Sequence, residues 1–435
     1  MWIQIAWGVH AEWSDKIVAS IAALTALALV TAACGSSSST SSTTSTSSSS
    51  AASGTPIKIA LITSLTGLAA SEFQTSPQGF LARIDLQNAE GGINGHKIDP
   101  IVIDDQTSFT TVVTATKQAI ADGAIGIVND SSLFFTAAKY PQEAGIPVTG
   151  GSFDGLEWGE QPYTNMFSAD QGSFNSTVPV NYLTGKFLKA HGGTVLGSYG
   201  FGVSPSSLYA ANGATKSALC TGITNGVLDT TVPFGSVNFS TEALDAKSAG
   251  VDALSGSMTN ASNFALVTAL KQAGVKLKVV DFPTGYEADI IGTPAWQEVQ
   301  GDYFATTFRP MSLPNAGTIQ MQNALLKYQG RKISDFPSFN VYESWVGTDL
   351  MIQGIKLAGP NPTSAKVITA LHTVNSYNAD GIVPISYGYS TASFGKCQST
   401  LCEWFMKVEP QGFVAASATP TCDSYAPGST SVTSL

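Results

Sequence analysis

Residues 57–105 limit the possible fold more narrowly than any other stretch of the chain. They open with an apolar, β-branched segment at residues 57–62, which is typical of a strand buried on both faces of a parallel sheet. A helix is predicted from the N-cap residue Ser76 to Gly91, since glycine readily takes the left-handed conformation that closes a helix. A second strand at residues 98–103 completes a βαβ unit. Ligands of open α/β sheets bind at the carboxyl ends of such strands.

Three motifs in this unit carry a family resemblance. They are Leu65-Thr66-Gly67 after the first strand, NAEGGING at residues 88–95 after the helix, and Asp104-Asp105 after the second strand. With these motifs the chain resembles the type I periplasmic binding proteins, in the branch typified by branched-chain amino acid receptors. The resemblance extends more weakly over residues 56–417. It implies a two-lobed binding protein that is not an enzyme and that delivers a small-molecule ligand to an ABC importer.

The alternation of strands and helices repeats beyond residue 171, which favours an α/β fold with two doubly wound parallel-sheet lobes. The resemblance implies a multi-crossover hinge with three crossovers between the lobes, although the sequence alone allows two equally well. The predicted organisation is a signal peptide with lipobox at 1–34, a Ser/Thr-rich tether at 35–55, lobe one at 56–170 and 307–381, lobe two at 171–306 with a return at 382–417, and a C-terminal tail at 418–435.

The N-terminal region has the pattern of a secretory signal. Residues 17–33 form the one long apolar run, which is short for a membrane span and ends in small residues before Cys34. This junction resembles a bacterial lipobox, in which Cys34 is the lipidated residue, although Thr31 stands where leucine is usual. An ordinary secreted protein and an uncleaved anchor are the alternatives.

Residues 36–50 consist of serine and threonine alone. Such a segment buries no apolar area, so we expect an extended tether between a lipid anchor and the folded body. Together these features predict a monomeric lipoprotein on the outer face of the cytoplasmic membrane. No later stretch of the sequence is apolar enough to span a bilayer. Import would therefore need ABC transporter permease subunits as separate membrane partners.

Charge and histidine content argue against two classes of function. The net charge is −10 and charged residues make up 12% of the chain. A nucleic-acid partner needs a basic surface, so we expect none. The histidines after the signal region are His96, His191 and His372, each in a predicted turn or near a helix end. No metal-ligand spacing includes them, and no nucleotide-binding glycine motif is present, so we expect no cofactor and no metal.

Four cysteines remain besides Cys34, and outside the cell they can oxidise. Cys397 and Cys402 flank a short predicted turn, which favours a disulfide between them. Cys220 and Cys422 would then be available for a second bridge. Four cysteines allow three connectivities, so the pairing stays open on the sequence alone.

Polar turns follow two further predicted strands of lobe one, at residues 129–132 and 150–155. In the resembled family, turns at these places hold the carboxylate of the ligand with hydroxyl and N–H groups, and an aromatic residue after the first strand forms a wall. The resemblance implies candidate ligand-binding residues on both lobes, namely Phe73, Ser131, Ser132, Ser152, Phe153, Ser204, Met258 and Tyr286. The alternative for a single serine is that it only caps the next helix.

One departure from the amino-acid-binding branch concerns charge. That branch places an acid in the turn that here reads Thr284-Gly285-Tyr286, where it pairs with the ammonium group of the ligand. Only Glu287 and Asp289 stand nearby, and a buried ammonium without a partner would be costly. A ligand without an ammonium group, such as a small amide, carboxylate or aromatic compound, is therefore expected at least as readily as an α-amino acid.

Two alternatives to import stay open. A sensory module of the same fold would report ligand occupancy to a membrane receptor, and neighbouring kinase rather than permease genes would indicate it. A secreted α/β hydrolase would use Ser152 as its nucleophile, but Asp154 stands where the nucleophile elbow requires glycine. The Asp104-Asp105 pair lacks a third acid or histidine at recognisable spacing, so we expect it to cap the next segment rather than perform acid–base chemistry.

Overall fold

The computed structural model describes residues 54–170, 182–332, 337–392, 394 and 400–424. The predicted signal peptide, the lipidation site Cys34, the tether and Cys397 lie outside these residues. Within them the chain forms two lobes, each built on one sheet. This confirms the predicted fold class, two α/β lobes with mainly parallel sheets.

The sheet of the first lobe is parallel throughout, with the strand order β2-β1-β3-β4-β5. Its central strand β1 is buried over its last five residues, as its β-branched sequence predicts. The strands are Gly54–Thr63 (β1), His96–Asp104 (β2), Gly126–Asp130 (β3), Val148–Gly150 (β4) and Met166–Ser168 (β5). The helices between them are Ala70–Phe73 (α1), Ser76–Ala89 (α2), Thr111–Ala121 (α3) and Lys139–Ala144 (α4).

Helix α2 shows how closely the local signals predict an element. Ser76, the expected N-cap, is instead its first helical residue, and Thr75 occupies the cap position without a side-chain hydrogen bond. The helix ends before Gly91, which has a φ of 103°, a conformation that favours glycine. Gly79 on α2 lets a later helix pack closely, because a side chain there would collide with the Val341 carbonyl group.

The sheet of the second lobe has the order β12-β11-β10-β9-β8-β6-β7, with β13 also paired to β11. Strands β6 to β10 run parallel, whereas β11 is antiparallel to β10. The strands are Val195–Phe201 (β6), Thr224–Val232 (β7), Ala253–Ser257 (β8), Val279–Phe282 (β9), Tyr303–Thr306 (β10), Thr400–Glu409 (β11), Gly412–Ala415 (β12) and Thr421–Ser424 (β13). The helices of this lobe are Leu183–Ala190 (α5), Pro205–Cys220 (α6), Ser240–Ala249 (α7), Asn260–Gln272 (α8) and Pro294–Glu298 (α9).

Three helices after β10 return to the first lobe. They are Ala316–Gln329 (α10), Phe339–Leu357 (α11) and Ser364–Leu371 (α12). Helix α10 packs on α2, and α11 packs on α2, β3 and β4. Because β11 and β12 then pair with the second sheet, the chain passes between the lobes three times.

The chain returns to the second lobe for the last time later than the predicted residue 382. Ile382, Val383, Tyr387 and Tyr389 are buried in the core that α2, α10 and α11 form with the first sheet. The hydroxyl group of Tyr389 donates a 2.7 Å hydrogen bond to the Ser168 carbonyl oxygen at the end of β5. The residues that join the second sheet begin with β11.

The disulfide bond differs from the prediction. Cys402 on β11 is bonded to Cys422 on β13, its direct partner in the antiparallel register. The predicted bond between Cys397 and Cys402 is therefore wrong, because the Cys402 sulfur is already used. The same bond removes Cys422 as a partner for Cys220, which is an exposed free thiol. A strand register brings the two cysteines together, and sequence spacing gave no sign of that register.

Candidate functional site

Four of the five strands of the first sheet end at or next to a polar residue, and the remaining strand is followed by a glycine. Ser64 follows β1, Asp105 follows β2, Asp130 ends β3, Gly151 follows β4 and Ser168 ends β5. Because parallel strands bring their carboxyl ends to one edge, these residues share that edge of the lobe. Four of them carry side chains, and all four are buried. The chemistry of this first-lobe edge decides what can bind there.

Asp105 ties three of the loops at this edge together. Its carboxylate accepts hydrogen bonds from the Ser64 hydroxyl at 2.6 Å and the Thr107 N–H at 2.8 Å, and also from the Ser131 hydroxyl. Burial raises the pKa of Asp105, and these hydrogen bonds oppose the rise. The hydroxyl of Ser131, a predicted ligand group, therefore makes a hydrogen bond within the protein.

Asp104 is equally well supplied with donors. It accepts hydrogen bonds from the Leu65 N–H at 2.9 Å, the Thr66 hydroxyl at 2.6 Å and the Gln106 N–H at 2.8 Å. Partial burial disfavours its charged form, but these hydrogen bonds prevail and lower the pKa of Asp104. The Asp104-Asp105 pair thus holds loops in place, as the sequence suggested.

A second group of acids at the same edge has a different environment. Glu72 on α1, Asp130, Asp170 after β5, and Glu343 on α11 are all buried, and we call these four residues the acid cluster. Neither carboxylate oxygen of Asp130 or Glu343 has a hydrogen-bond partner, nor does Oε2 of Glu72. Ser168 Oγ lies 2.9 Å from Asp170 Oδ1, so Asp170 has at least that partner.

Burial shifts the pKa values in the acid cluster strongly upward. It raises the pKa of Glu72 to about 8, although a hydrogen bond from the backbone N–H of Asn260 stabilises the charged form and opposes the rise. It raises the pKa of Asp130 well above its usual range, with the Glu72 and Asp170 carboxyls adding to the rise and the nearby Ser76 hydroxyl opposing it. Burial also raises the pKa of Glu343 well above its usual range, and the Asp170 and Asp130 carboxyls add to this rise. Carboxyl groups that share a buried space resist joint ionisation.

Aromatic rings lie beside the acid cluster. The ring centroids of Phe73 and Phe153 are 5.7 Å apart, and those of Phe153 and Phe339 are 6.4 Å apart. Gly151 lies between the rings and the acids. A methyl group on its Cα would lie 2.9 Å from Cδ of Glu343 and would collide with the Phe153 ring, so both side chains pack against this glycine. The first-lobe edge thus combines carboxyl groups with apolar ring surfaces.

At the corresponding edge of the second lobe, three hydroxyl groups make hydrogen bonds within the protein. Ser204 accepts a 3.3 Å hydrogen bond from the Ser207 N–H and thereby caps α6. The Ser207 hydroxyl accepts from the Phe201 N–H at 2.7 Å and donates to the Ser257 carbonyl oxygen. Thr284 Oγ1 donates to the Met258 carbonyl oxygen at 3.2 Å. These bonds fix the loops after β6, β8 and β9 relative to one another.

The two edges meet at the N-termini of two second-lobe helices. Near the start of α6, the Ser206 hydroxyl donates to the Phe153 carbonyl oxygen. At the start of α8, the backbone N–H of Asn260 reaches the Glu72 carboxylate. Tyr286 extends the contact, with its ring centroid 6.5 Å from that of Tyr342 on α11. The edges therefore face each other across the boundary between the lobes.

The structure distributes the eight predicted ligand residues over these two edges. On the first lobe, the buried Ser132 hydroxyl has no hydrogen-bond partner, and Ser152 Oγ lies 3.0 Å from Ser168 Oγ. Phe73 and Phe153 form the ring surface described above. On the second lobe, Ser204 is a helix cap, while Met258 and Tyr286 are buried in apolar clusters. Whether any of the eight contacts a ligand stays a prediction.

Sequence reasoning missed the acid cluster. Two of its members stand next to residues that were predicted, Glu72 beside Phe73 and Asp130 beside Ser131. Attention to the whole turn rather than to its hydroxyl groups would have found them. Glu343 gave no signal, because it lies within a 19-residue helix and comes to the sheet edge only through packing.

The parts of the chain with assigned positions hold no set of three histidine, cysteine or acidic side chains placed to bind a metal ion. None of their helices combines the length and the apolarity needed to cross a bilayer.

Two lobes of this topology, joined by three crossings and facing each other with their strand ends, define the class of two-lobed α/β binding proteins. Comparison with known proteins agrees with this class. The model of a family described as periplasmic binding protein matches residues 56–409. The chain belongs to the periplasmic binding protein family, as its opening motifs predicted, and the family works outside the cytoplasm.

Individual relatives are more distant. A Leu/Ile/Val-binding protein homolog from Brucella abortus is 39% identical over 80 residues, which is 18% of this chain and 19% of that relative. A solute-binding protein from R. palustris, solved with benzoate, superposes with a TM-score of 0.67 at 17% identity, covering 86% of this chain and 98% of that one. A branched chain amino acid ABC transporter protein from Thermus thermophilus, with bound valine, gives a TM-score of 0.68 at 16% identity, with coverages of 84% and 96%. At these identities the structural matches show the fold alone.

Proposed function

We propose that the protein is the solute-binding component of an ABC importer. It captures a small polar molecule between the two strand edges and presents the closed form to permease subunits in the membrane. The observation that carries the proposal is the meeting of the edges, where the Ser206 hydroxyl and the Asn260 N–H reach first-lobe groups. Hinge closure around a ligand is the motion that such a two-lobed arrangement allows.

We also propose that the protein binds its ligand without catalysing a reaction. Ser152, the nucleophile of the hydrolase alternative, pairs with another hydroxyl group, that of Ser168, at 3.0 Å. Activation of a serine needs a base in that position. The relatives solved with benzoate and with valine illustrate that one fold holds quite different small molecules, so the ligand must be inferred from the site of this chain.

We further propose that Cys34 carries the lipid that anchors a monomer to the outer face of the cytoplasmic membrane, with residues 35–55 as the tether. A Cys34→Ala variant should fail to incorporate labelled palmitate, while a Cys220→Ala variant, which changes the exposed free thiol, should still incorporate it. Absence of label in the unaltered protein, or label that persists in the Cys34→Ala variant, would contradict the lipid anchor at Cys34.

Thermal unfolding tests the binding function. A ligand that binds only the folded state stabilises by about 2.7 kcal/mol at a hundredfold excess over its Kd. We expect one chemical class within a panel of amino acids, amides, carboxylates, aromatic compounds and amines to raise the melting temperature. A panel without any effect on melting, together with a failure to stimulate the ATPase activity of the neighbouring transporter, would contradict the importer role.

A further inference from the structure

The first-lobe edge does not suit the ligand group that the resemblance implies for it. Turns at residues 129–132 and 150–155 were expected to hold a ligand carboxylate with hydroxyl and N–H groups. In the structure, the carboxyl groups of Asp130 and Glu343 lie at these turns instead. A ligand carboxylate placed there would meet carboxyl groups instead of the expected hydroxyl and N–H donors, and its charge would further disfavour ionisation of these acids.

The acids at this edge lack the partners that buried charges normally have. Asp130 and Glu343 are each 0% exposed, and none of their four carboxylate oxygens has a hydrogen-bond partner. Of the ion pairs between residues with assigned positions, none includes Glu72, Asp130 or Glu343. The adjoining stretch at 171–181 contains no lysine or arginine in its sequence. Buried carboxyl groups are ordinarily protonated, paired or bound to a metal, so a cation that enters the site would find acceptor oxygens there.

Two asparagine side chains give a second and independent sign of unsatisfied polar groups where the two edges meet. Asn340 on α11 is 1% exposed and donates its Nδ2 to the Glu72 carbonyl oxygen at 2.8 Å, yet its Oδ1 accepts no hydrogen bond. Asn260, whose backbone N–H reaches Glu72 from the second lobe, is 6% exposed and leaves both amide atoms without partners. The Asn340 side chain, the Asn260 backbone and the Glu72 carboxylate thus lie near one another with acceptor oxygens unsatisfied, and an ammonium group supplies up to three donors.

Ring surfaces complete the site for a cation with an apolar body. Phe73 stands next to Glu72, Phe339 stands next to Asn340, and the ring of Phe153 lies between theirs. Faces of aromatic rings attract cations, and their apolar surface binds hydrocarbon groups. A bare inorganic ion would leave this surface unused.

We propose that the site takes an organic ammonium compound that has an apolar body and no carboxylate group, with the ammonium held by Glu72, Asp130 and Glu343. This inference rests on the proposed binding function and names its ligand class. It reverses the expectation of a ligand without an ammonium group. The acids that pair with it come from the first lobe rather than from the turn after β9.

Matched ligand series test the proposal on the full chain. Isopentylamine and phenethylamine are compared with leucine and phenylalanine, which add a carboxylate to the same bodies, with isocaproate and hydrocinnamate, which carry only the carboxylate, and with the corresponding amides. We expect the two amines to raise the melting temperature, and the carboxylates and amides to leave it unchanged. Calorimetric titration in buffers of different ionisation enthalpy should show protons released on amine binding, because the cation displaces protons from the acids.

Three variants assign the binding to the acid cluster. Glu343→Gln and Glu72→Gln keep the shape of the side chain and remove its charge, so each should weaken amine binding at least about thirtyfold. Asp302→Asn is the matched control, since Asp302 is also a buried acid with a raised pKa and an unpartnered oxygen, but it precedes β10 at the opposite end of the strands. Its amine affinity should match that of the unaltered protein.

The outcomes separate the two proposals. Stabilisation by leucine or phenylalanine equal to that by the amines would overturn the ligand class and leave the binding function intact. Stabilisation by calcium chloride but not by amines would overturn it in favour of a metal ion. Amine binding that survives Glu343→Gln and Glu72→Gln would overturn the assignment to these residues. No stabilisation by any compound would overturn the ligand class and the binding function together.

Discussion

Two sets of acids lie at the same edge of the first sheet and differ in their supply of hydrogen-bond donors. Asp104 ends β2 and Asp105 follows it, and together they accept hydrogen bonds from side chains and backbone N–H groups of three loops. Asp130 and Glu343 are buried, their carboxylate oxygens have no hydrogen-bond partner, and the Asp130 carboxyl adds to the rise in the pKa of Glu343. Asp130 also stands at a strand end in the sequence, whereas Glu343 lies within helix α11, and neither is as well supplied with donors as Asp104 and Asp105.

This difference distinguishes acids that stabilise the fold through hydrogen bonds from acids that lack hydrogen-bond partners and are candidates for binding a ligand. A buried carboxylate with several donors stabilises the loops that supply them. A buried carboxylate without donors destabilises the folded state unless it is protonated or meets a cation. The first set should therefore matter most for stability, and the second set for binding.

The largest effect should come from removing the loop-holding acid. Asp105→Ala leaves the Ser64 and Ser131 hydroxyls and the Thr107 N–H without their acceptor. We expect a loss of about 3–9 kcal/mol in the free energy of unfolding, since each of the three donors left unsatisfied costs about 1–3 kcal/mol. Urea denaturation measures it. A loss below about 1 kcal/mol would show that the loops do not depend on this carboxylate.

Local sequence signals predicted most elements of the fold. Strand β1, the glycine exit of α2 and strand β2 lie within a few residues of their expected positions, because their apolar patterns and end signals are local. The partner of Cys402 could not be predicted in this way, since it depends on the register between β11 and β13. Glu343 was missed for the same reason, as only the packing of α11 on β4 brings it to the strand ends.

The pH dependence of stability should follow the acids without donors. Burial raises the pKa of Glu72 from 4.5 to about 8, so between these values the folded state holds a proton that the unfolded state has lost. Stability is then fully present below the unfolded pKa and decreases as the pH rises through this window. Without ligand, we expect the protein to lose on the order of 2–4 kcal/mol between about pH 5 and about pH 8, measured by denaturant titration.

A variant identifies the source of that loss. Asp281, Asp302 and Glu403 also have raised pKa values and contribute in the same direction. Glu72→Gln should therefore reduce the slope of stability against pH without abolishing it. An unchanged slope in Glu72→Gln would mean that the raised pKa of Glu72 does not affect folding.

The third prediction has the opposite sign to that for Asp105. Glu343→Gln replaces a carboxyl that has no donor by a neutral amide, which can itself donate to the Asp130 or Asp170 carboxylates. We expect the protein without ligand to gain about 1–2 kcal/mol in stability near neutral pH. Thermal and urea unfolding measure the gain. A clear destabilisation would show that Glu343 is a structural acid like Asp105, and the contrast between the two sets would fail.

The smallest effect concerns a residue of the second-lobe edge. The resemblance implies that Ser204 binds ligand, whereas the structure shows its side chain capping α6 through the Ser207 N–H. Ser204→Ala should cost about 1 kcal/mol of stability, as for other N-caps, while ligand affinity stays the same. Ser204→Asp, which keeps a capping oxygen, should restore the stability. If instead Ser204→Ala weakens binding of whichever ligand stabilises the protein, the hydroxyl contacts that ligand when the lobes close. The second-lobe edge would then contribute to recognition through a group that the fold already uses, and the division between structural and binding residues would apply to the first lobe alone.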